Sequence, residues 1–500
     1  MAQNRASARG RKNSLAFDPP TTAWIVVLGS FLVFCGMCIA GVLGTYWFLF
    51  DSTIPTTIRL TVSSGAVTVT RQDGTSYVVN DNAGDNTIPT SVILQTDNIS
   101  QGYLTFADSG HVIADIFLLP NSSLTLNDSS RPRFDWSKGG YGVTVSEVTG
   151  HFSIDVPNHP NRASVVVFNS PLGTAHLTSG GQYMITALAD SLSLYTEYGA
   201  GVIYNTPEQA VQIMPTKQGT LHRGQGQVDV QPYPYTMLNL ADPGPLQSVL
   251  GDPTRPVEEA LRIQSGSNST SVPIVTAAST AQATDSAVSN AAGSQANQPL
   301  PLYLGCSNVT PDKASEPTGT WSLTALDEEL ALRLYRTGTG PDSKPLGHAE
   351  TGCIFYFSQN SESMNLDNYS SLSVRAKMKI HFQNVPTCGV RGSECPVMLQ
   401  LVYQDQQGNA QAWYQGFYAV RPPEDTSVLR CESCSQNHIQ INSDAWFIYD
   451  SGDLLKQLPN SPASLNYIRV YSSGHLFDVA VSDLSVVGGQ AITNSDSGGN

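Results

Sequence analysis

AWIVVLGSFLVFCGMCIAGVLGTYWFL, residues Ala23–Leu49, is the stretch that decides the layout of the chain. It contains no charged residue, and about 20 apolar residues are enough for a helix to cross a bilayer. Trp24 lies near one end, and Tyr46 and Trp47 lie near the other, where amphipathic rings settle at headgroup level. We therefore predict one transmembrane helix over residues 21–50.

The residues around this helix predict its orientation. Four basic residues precede it: Arg5, Arg9, Arg11 and Lys12. The segment after the helix instead begins with the acidic Asp51. By the positive-inside rule, residues 1–20 form a cytoplasmic tail and the bulk of the chain is extracytoplasmic. The apolar core is too long for a cleavable signal peptide and no small-x-small site follows it, so we expect a single-pass signal-anchor in the cell membrane.

Small residues recur every four positions along the predicted helix. Gly36, Ala40 and Gly44 form a small-xxx-small stripe that lets two such helices approach closely. The stripe makes a homodimer possible.

The composition narrows the class of protein. The 500 residues carry a formal net charge of −15, which argues against nucleic acid as a partner and against docking on anionic lipid. Only 13% of the residues are charged, which suits β-rich extracytoplasmic domains better than helical enzymes.

Six of the eight cysteines lie beyond the predicted helix, and we interpret them as disulfide candidates. Pairing close neighbours gives three bridges: Cys388 with Cys395, Cys431 with Cys434, and Cys306 with Cys353. The alternative is a metal site, because Cys431-x2-Cys434-x3-His438 has ligand-like spacing. Oxidation outside the cell favours disulfides, so we expect no metal and no cofactor.

Residues 51–231 are predicted to form a β-domain. Short alternating stretches such as Gly65–Gly74 (GAVTVTRQDG) are separated by Gly, Asp and Asn turns, and Val143–Val156 is broken at Gly150. No helical periodicity longer than two turns interrupts them. The fold class predicted for the whole chain outside the membrane is all-β.

A series of short motifs within residues 60–225 resembles the extracytoplasmic domain of FecR family proteins. They are Gly65-Ala-Val-Thr-Val, Ile88-Pro-Thr90, Gly102-Tyr-Leu-Thr-Phe106-x-Asp108-x-Gly110, Ser170-Pro-Leu-Gly173, Gly180-Gly-Gln-Tyr-Met-Ile185 and Tyr198-Gly199-x-Gly201. The resemblance implies an extracytoplasmic β-module for sensing. The family's best-known members control a sigma factor through a cytoplasmic helical domain, but the tail of about twenty residues here is too short to fold one.

Residues 232–300 are rich in Pro, then in Ser, Thr, Ala and Gln, with too few large apolar residues for a core. We predict a flexible low-complexity linker, with one helix-like piece at Pro256–Arg262. A disordered tail is predicted for residues 491–500.

Residues 301–490 predict a second β-domain. Its strand candidates are Leu330–Tyr335, Gly352–Phe357, Leu372–Ile380, Val397–Tyr403, Gln411–Val420, Leu465–Tyr471 and Leu476–Val481. Leu366–Ile380 and Tyr467–Gly488 resemble the entry strand and the closing strands of carbohydrate-binding, galactose-binding-like jelly rolls. The resemblance implies a β-sandwich and a possible polysaccharide ligand.

Sugar binding requires aromatic faces that stack on pyranose rings, beside amides and carboxylates that bond hydroxyls. The candidate ligand-binding residues are Trp413, Tyr414, Gln415, Tyr418, Trp446 and Tyr449. Further polar candidates are Gln404, Asp405, Gln411 and Asp444. On a strand Trp413 and Tyr414 point to opposite faces, so about half of these aromatics are expected in the core.

No nucleophile elbow, HExxH motif or phosphate-binding glycine loop occurs, so we expect no catalytic residues and no enzyme. The sequence favours a membrane-anchored binding or sensing protein. A protein-binding signalling scaffold and a cell-envelope glycan-processing enzyme are the alternatives.

Overall fold

The computed structural model describes residues 19–80, 82, 86–159, 162–232, 235–237, 303–308, 319–327, 329–339, 345–357, 363–422, 424 and 426–490. The predicted helix-like piece, the predicted C-terminal tail, residues 1–18 of the predicted N-terminal tail and most of the predicted linker lie outside these residues. The described residues are mostly β-strand, with one long N-terminal helix. The predicted fold class is therefore confirmed.

The helix α1 spans Pro19–Tyr46 and continues as a π-helical turn over Trp47–Asp51. Residues Ala23–Asp51 are long and apolar enough to cross a membrane, and none of this stretch is buried in the protein. A Cβ atom added at Gly36 or Gly44 would meet nothing within 4 Å. The helix thus presents its apolar surface outward along its whole length.

One compact unit contains α1, the short strand β1 (Thr53–Pro55) and the segment Ser130–Gly140. Within it, β1 pairs antiparallel with the end of β8 (Ser123–Pro132), Thr53 opposite Pro132. The other compact unit holds the remaining β-structure.

Strands β2–β7 are Thr57–Ser64, Val67–Arg71, Ser76–Val79, Val92–Thr96, Gln101–Asp108 and His111–Leu118. Strands β9–β17 are Tyr141–Val156, Ser164–Ser170, Gly173–Thr178, Gly181–Ala187, Ser191–Tyr198, Gly201–Tyr204, Val211–Ile213, Lys217–His222 and Asp229–Pro232. A 3-10 turn, Pro207–Gln209, separates β14 from β15. Together β2–β17 form one continuous sheet. Residues 56–129 and 141–232 are called the N-terminal β-domain below.

The long strand β9 joins the two halves of this sheet. Its start pairs in parallel with β10, and its end, from Gly150 onward, pairs antiparallel with β12. Gly150 has φ +102°, and a Cβ atom there would lie 2.6 Å from the carbonyl oxygen of Asn121, so only glycine fits. The predicted break at Gly150 is a bend within one strand. Folding back brings apolar side chains from both halves into a single core.

Strands β18–β24 are Tyr235–Met237, Tyr303–Asn308, Thr320–Leu326, Glu329–Arg336, Ala349–Tyr356, Met364–Asn365 and Tyr369–Gln383. Strands β25–β30 are Val397–Asp405, Ala410–Tyr418, Ile439–Gln440, Phe447–Asp450, Pro462–Gly474 and Phe477–Gln490, and a short helix α2 spans Leu454–Gln457. Strand β18 pairs with β30, so the linker predicted to start at residue 232 begins with sheet structure.

These strands form a two-sheet β-sandwich. A six-stranded sheet has the order β20-β21-β30-β24-β28, with β18 on β30, and a seven-stranded sheet has the order β19-β22-β29-β25-β26-β27, with β23 on β29. The core between them includes Val374, Leu399, Leu401 and Trp413. Each sheet therefore has one face in this core and one outer face.

The outer face of the six-stranded sheet packs against the N-terminal β-domain. Tyr103 and Phe117 of that domain stack at 4.8 Å between ring centroids and bury Trp446 and Ala480 of the sandwich. Gln101 bonds both backbone groups of Ile448, its Nε2 donating to the carbonyl at 2.9 Å and its Oε1 accepting from the amide at 3.3 Å.

Candidate functional site

The outer face of the seven-stranded sheet is the candidate site. Cross-strand register places Tyr356 of β22 opposite Tyr467 of β29, and Ile354 opposite Arg469. Arg469 is in turn opposite Gln400 of β25, and Gln400 is opposite Tyr414 of β26. Side chains directly opposite each other on one face lie within contact distance. The four strands thus build a continuous surface of tyrosines interleaved with polar groups, called the tyrosine face below.

Three tyrosines of this face, Tyr356, Tyr414 and Tyr467, are half-buried. The rings of Tyr356 and Tyr467 meet edge to face with their centroids 5.8 Å apart. Partial burial raises the pKa of the Tyr467 hydroxyl, and the nearby Arg469 opposes this rise. The Tyr467 hydroxyl therefore stays protonated at neutral pH and can both donate and accept hydrogen bonds.

Charged and amide side chains fix the geometry of the face. Arg469 donates to Glu350 at 2.9 Å, and its guanidinium lies 4.0 Å from the ring centroid of Tyr471. Gln400 donates through Nε2 to the Tyr414 hydroxyl at 3.0 Å. The planar Arg group is thus held in place by an ion pair and an aromatic ring, as at sites that bind polar ligands in a fixed orientation.

The cysteines close one end of this face. Cys388 is bonded to Cys395 and Cys431 to Cys434, as predicted, and both bridges are buried with Met398, Tyr418 and Tyr471. Cys353 is also disulfide-bonded, and its register partner on the next strand is Cys306, whose side chain is outside the described residues.

The alternative metal site does not fit this geometry. Ligand atoms of Cys431, Cys434 and His438 do lie within 4.8 Å of one another. The two sulfurs are bonded to each other, however, and both imidazole nitrogens are in use: Nδ1 accepts from the Gly416 amide at 3.0 Å and Nε2 donates to the Gly392 carbonyl at 2.6 Å. Burial also lowers the pKa of His438. Neither a thiolate nor a free ring nitrogen of this group is therefore available to bind a metal ion, and the His438 ring instead links β26 to the Cys388–Cys395 loop.

Of the predicted ligand-binding residues, Tyr414 is half-buried on the tyrosine face, and Tyr418 lies on the same face of β26 but is buried. The others do not lie on this face. Trp413 is 2% exposed in the core, and Tyr449 packs there against Phe417. Gln415 is buried and donates to the carbonyls of Gly416 and Asn437. Tyr418 packs against the disulfides. A buried ring offers no open surface for a sugar, so these side chains are structural.

Trp446 is 3% exposed at the contact with the N-terminal β-domain, where its indole Nε1 donates to Asp327 at 3.0 Å. Of the other polar candidates, Gln404 lies half-buried on the same face of β25 as Gln400. Asp405 accepts the backbone amides of its own hairpin turn, and Gln411 donates to it. Asp444 pairs with His381 at 2.8 Å.

Four residues of this face are not among the candidates that the sequence predicts: Tyr356, Tyr467, Arg469 and Glu350. Tyr467, Arg469 and Tyr471 alternate along one strand, and this period of two was the signal that could have placed them on one face. Which face of β29 would be covered could not be read from that period.

A shallow groove of about 540 Å³ lies elsewhere, on the N-terminal β-domain. Its lining includes Pro171, Leu172, His222 and Arg223, and the Arg223 guanidinium is already bonded to the carbonyl of Ala189. Asn205 and Gln225 also line the groove, but no Tyr, Trp or Phe does, so it offers no such ring for stacking on a pyranose.

Neither a protein-family model nor a curated protein matches this chain. Among solved structures, similarity is found to a candidate anti-sigma factor from Parabacteroides distasonis, with 11% identity and a TM-score of 0.22, over 28% of this chain and 59% of that one. Two carbohydrate-binding modules from Clostridium thermocellum are also similar. A family 11 module has 9% identity and a TM-score of 0.20 over 37% of this chain and 87% of its own length. A family 30 module has 9% identity and a TM-score of 0.20 over 36% and 92%. At these scores the likenesses carry no argument about function.

Proposed function

We propose that this chain is a single-pass membrane protein with a cytoplasmic N-terminus, whose β-sandwich binds a glycan or cell-envelope polymer on the tyrosine face. The observation that supports the proposal is the row of half-buried tyrosines, Tyr356, Tyr467 and Tyr414, beside Arg469 and Gln400 on one outer sheet face.

The chemistry of this face suits a carbohydrate. The faces of aromatic rings carry negative charge density and attract the slightly positive C–H groups of a pyranose ring. Half-buried rings are already held by their neighbours, so little side-chain entropy is lost on binding. Arg469, Gln400 and the tyrosine hydroxyls supply hydrogen bonds to sugar hydroxyls. A face that extends across four strands can accept an extended polymer.

We propose binding without catalysis. Glycoside hydrolysis requires two carboxyl groups about 5–9.5 Å apart. On the tyrosine face Glu350 forms an ion pair with Arg469, so its carboxylate positions the Arg469 guanidinium. The N-terminal β-domain, by its resemblance to FecR domains, is proposed as a sensing module on the same side of the membrane.

The test uses the full chain in lipid nanodiscs, titrated by calorimetry against a panel of envelope and plant polysaccharides. We expect at least one polymer to bind, and Tyr467→Ala to weaken that binding about tenfold, which corresponds to about 1.4 kcal/mol. Tyr198→Ala is the matched control, because Tyr198 is an exposed tyrosine of the N-terminal β-domain.

Unchanged affinity in Tyr467→Ala would contradict the proposed face. A folded chain that binds none of the polymers would favour the scaffold alternative, in which this face binds a protein.

A further inference from the structure

The loop Arg133–Gly140, called the aromatic loop below, is attached to the end of the apolar helix. The Arg133 amide donates to the Ser52 carbonyl at 3.0 Å, and its Nε donates to the Ser52 hydroxyl at 3.2 Å. The Ser137 hydroxyl donates to the Phe50 carbonyl. These contacts all lie within one compact unit, so the loop and the helix end keep a fixed relation.

The rings of the loop extend the apolar surface of the helix. Phe134 stacks on Trp136 with centroids 4.7 Å apart and interplanar angle 8°, and it meets Phe48 edge-on at 5.6 Å. Phe48 belongs to the uncharged stretch that begins at Ala23. Trp136 is 62% exposed, as large a fraction as many side chains of the helix itself.

Single exposed aromatic residues are common on soluble proteins and need no explanation. Here the exposed ring is continuous with apolar side chains that are themselves exposed, Trp47, Phe48 and Phe50. Exposed cations flank the rings: Arg133 lies 5.2 Å from the Phe48 ring centroid, and Lys138 follows two residues after Trp136. Aromatic rings with nearby basic side chains are the arrangement found at the membrane interface.

We propose that the aromatic loop is a second membrane contact of this protein, with Trp136 and Phe134 in the headgroup region of the bilayer that α1 crosses. The exposed Arg133 and Lys138 then face lipid phosphates. The occupant is phospholipid, because the rings continue the surface that the helix itself presents to lipid. The loop fixes the azimuth of the helix end and the depth at which the extracytoplasmic part begins. This inference rests on the proposed membrane anchoring.

The test is 19F NMR of the full chain, labelled with 5-fluorotryptophan and reconstituted in phosphatidylcholine nanodiscs. Trp136→Phe and Trp47→Phe assign the two resonances. Broadening is measured with a spin label attached to the lipid near the carbonyl level, and separately with a water-soluble gadolinium chelate. The buried Trp413 and Trp446 are internal controls that neither agent should reach.

We expect the lipid spin label to broaden the Trp136 and Trp47 resonances at least threefold more than the aqueous agent does. If Trp47 responds to the lipid label while Trp136 responds only to the gadolinium chelate, the helix is in the membrane and the loop contact is wrong. If neither resonance responds to the lipid label, the membrane anchoring itself fails and the loop contact fails with it.

Discussion

The two outer faces of the β-sandwich carry similar residues, but the N-terminal β-domain covers only one of them. On the six-stranded sheet, Lys377 lies 5.6 Å from the Trp446 ring, and the N-terminal β-domain covers both. On the seven-stranded sheet, Arg469 lies 4.0 Å from the Tyr471 ring beside half-buried tyrosines. A cation beside an aromatic ring therefore indicates a contact surface, but it does not say whether the partner is another domain of the same chain or a ligand.

The two cations differ in how far they are exposed to water and in where their ion-pair partners lie. The Lys377 side chain is 3% exposed and pairs with Asp155 of the N-terminal β-domain at 2.8 Å, with its Nζ 4.3 Å from the Phe117 ring centroid. The Arg469 side chain is 18% exposed. A cation with so little access to water depends on its partners, whereas one at a half-open face can exchange a partner for a ligand.

The largest expected effect is at Lys377. Lys377→Met removes the cation that faces Asp155, whose other carboxylate oxygen is buried without a hydrogen-bond partner. Leaving a buried charge uncompensated costs about 3–5 kcal/mol, so the melting temperature should fall by several degrees. Thermal unfolding followed by circular dichroism measures this.

Lys456→Met is the matched control for that substitution. Lys456 makes an ion pair of nearly the same length with Asp453, at 2.9 Å, but its side chain is 79% exposed. An exposed pair is worth about 0–1 kcal/mol. Equal losses in the two variants would contradict the structural role of the domain contact.

A smaller effect is expected from pH. Burial raises the pKa of Asp115 to about 7, and the Thr105 hydroxyl and Lys377 oppose this rise. Burial also raises the pKa of Glu197 to about 8, and Asp483 of the sandwich and then Asp155 add to it. Asp483 is exposed at the edge of the contact, yet partial dehydration there raises its pKa too. Carboxyl groups therefore face each other across the contact.

The sign of the pH effect follows from these raised values. In the unfolded chain such carboxyl groups have a pKa of about 4, so between pH 4 and 8 the folded chain binds more protons. Their contribution to stability is fully present below pH 4 and is lost as pH rises through 7 to 8. We expect a higher unfolding midpoint at pH 5.5 than at pH 8.5.

Glu197→Gln should reduce this difference in midpoint, because it removes one of the titrating groups. Glu208→Gln, at an exposed glutamate of the same domain, should leave it unchanged. The same pH dependence in Glu197→Gln as in the parent chain would rule out Glu197 as its source.

The smallest effect of a substitution is expected on the tyrosine face. Gln400→Ala removes the hydrogen bond that holds the Tyr414 hydroxyl, which is worth about 1 kcal/mol. Polysaccharide affinity should fall about threefold to fivefold, because the Tyr414 ring is no longer held in place, while the unfolding midpoint should fall by only about 2–4 °C. Calorimetric titration beside a melting curve separates the two. A large fall in stability with unchanged affinity would place Gln400 in the structural framework instead.

Much of the fold was predictable from local pattern. The seven strands predicted between residues 330 and 481 all occur, because alternating apolar side chains identify a strand with one face in a core. Six have boundaries shifted by at most three residues, whereas the last, predicted to end at Val481, continues to Gln490. The disulfides Cys388–Cys395 and Cys431–Cys434 join neighbours in sequence, so short separation was enough to suggest them. Strand β18 is not predicted, because the Pro-rich sequence around Tyr235–Met237 shows no alternation of apolar and polar residues.

The candidate site was predictable only in part. Sequence alternation correctly placed Trp413 and Tyr414 on opposite faces of β26, but the choice between the faces depends on which sheet packs beneath. Trp446 is predicted to bind a ligand because it is an aromatic residue near polar residues in the sequence. Its partners Tyr103 and Phe117 lie more than three hundred residues earlier in the chain, and no local pattern connects them.

The sequence by itself determined the apolar helix, the all-β fold and the positions of most strands, because each depends on side chains a few residues apart. The tertiary structure alone decided which sheet face the N-terminal β-domain covers and which it leaves uncovered, because burial is a property of surfaces brought together from distant parts of the chain. Residues of the same type therefore became a domain contact at Trp446 and Lys377, and a candidate binding face at Tyr467 and Arg469.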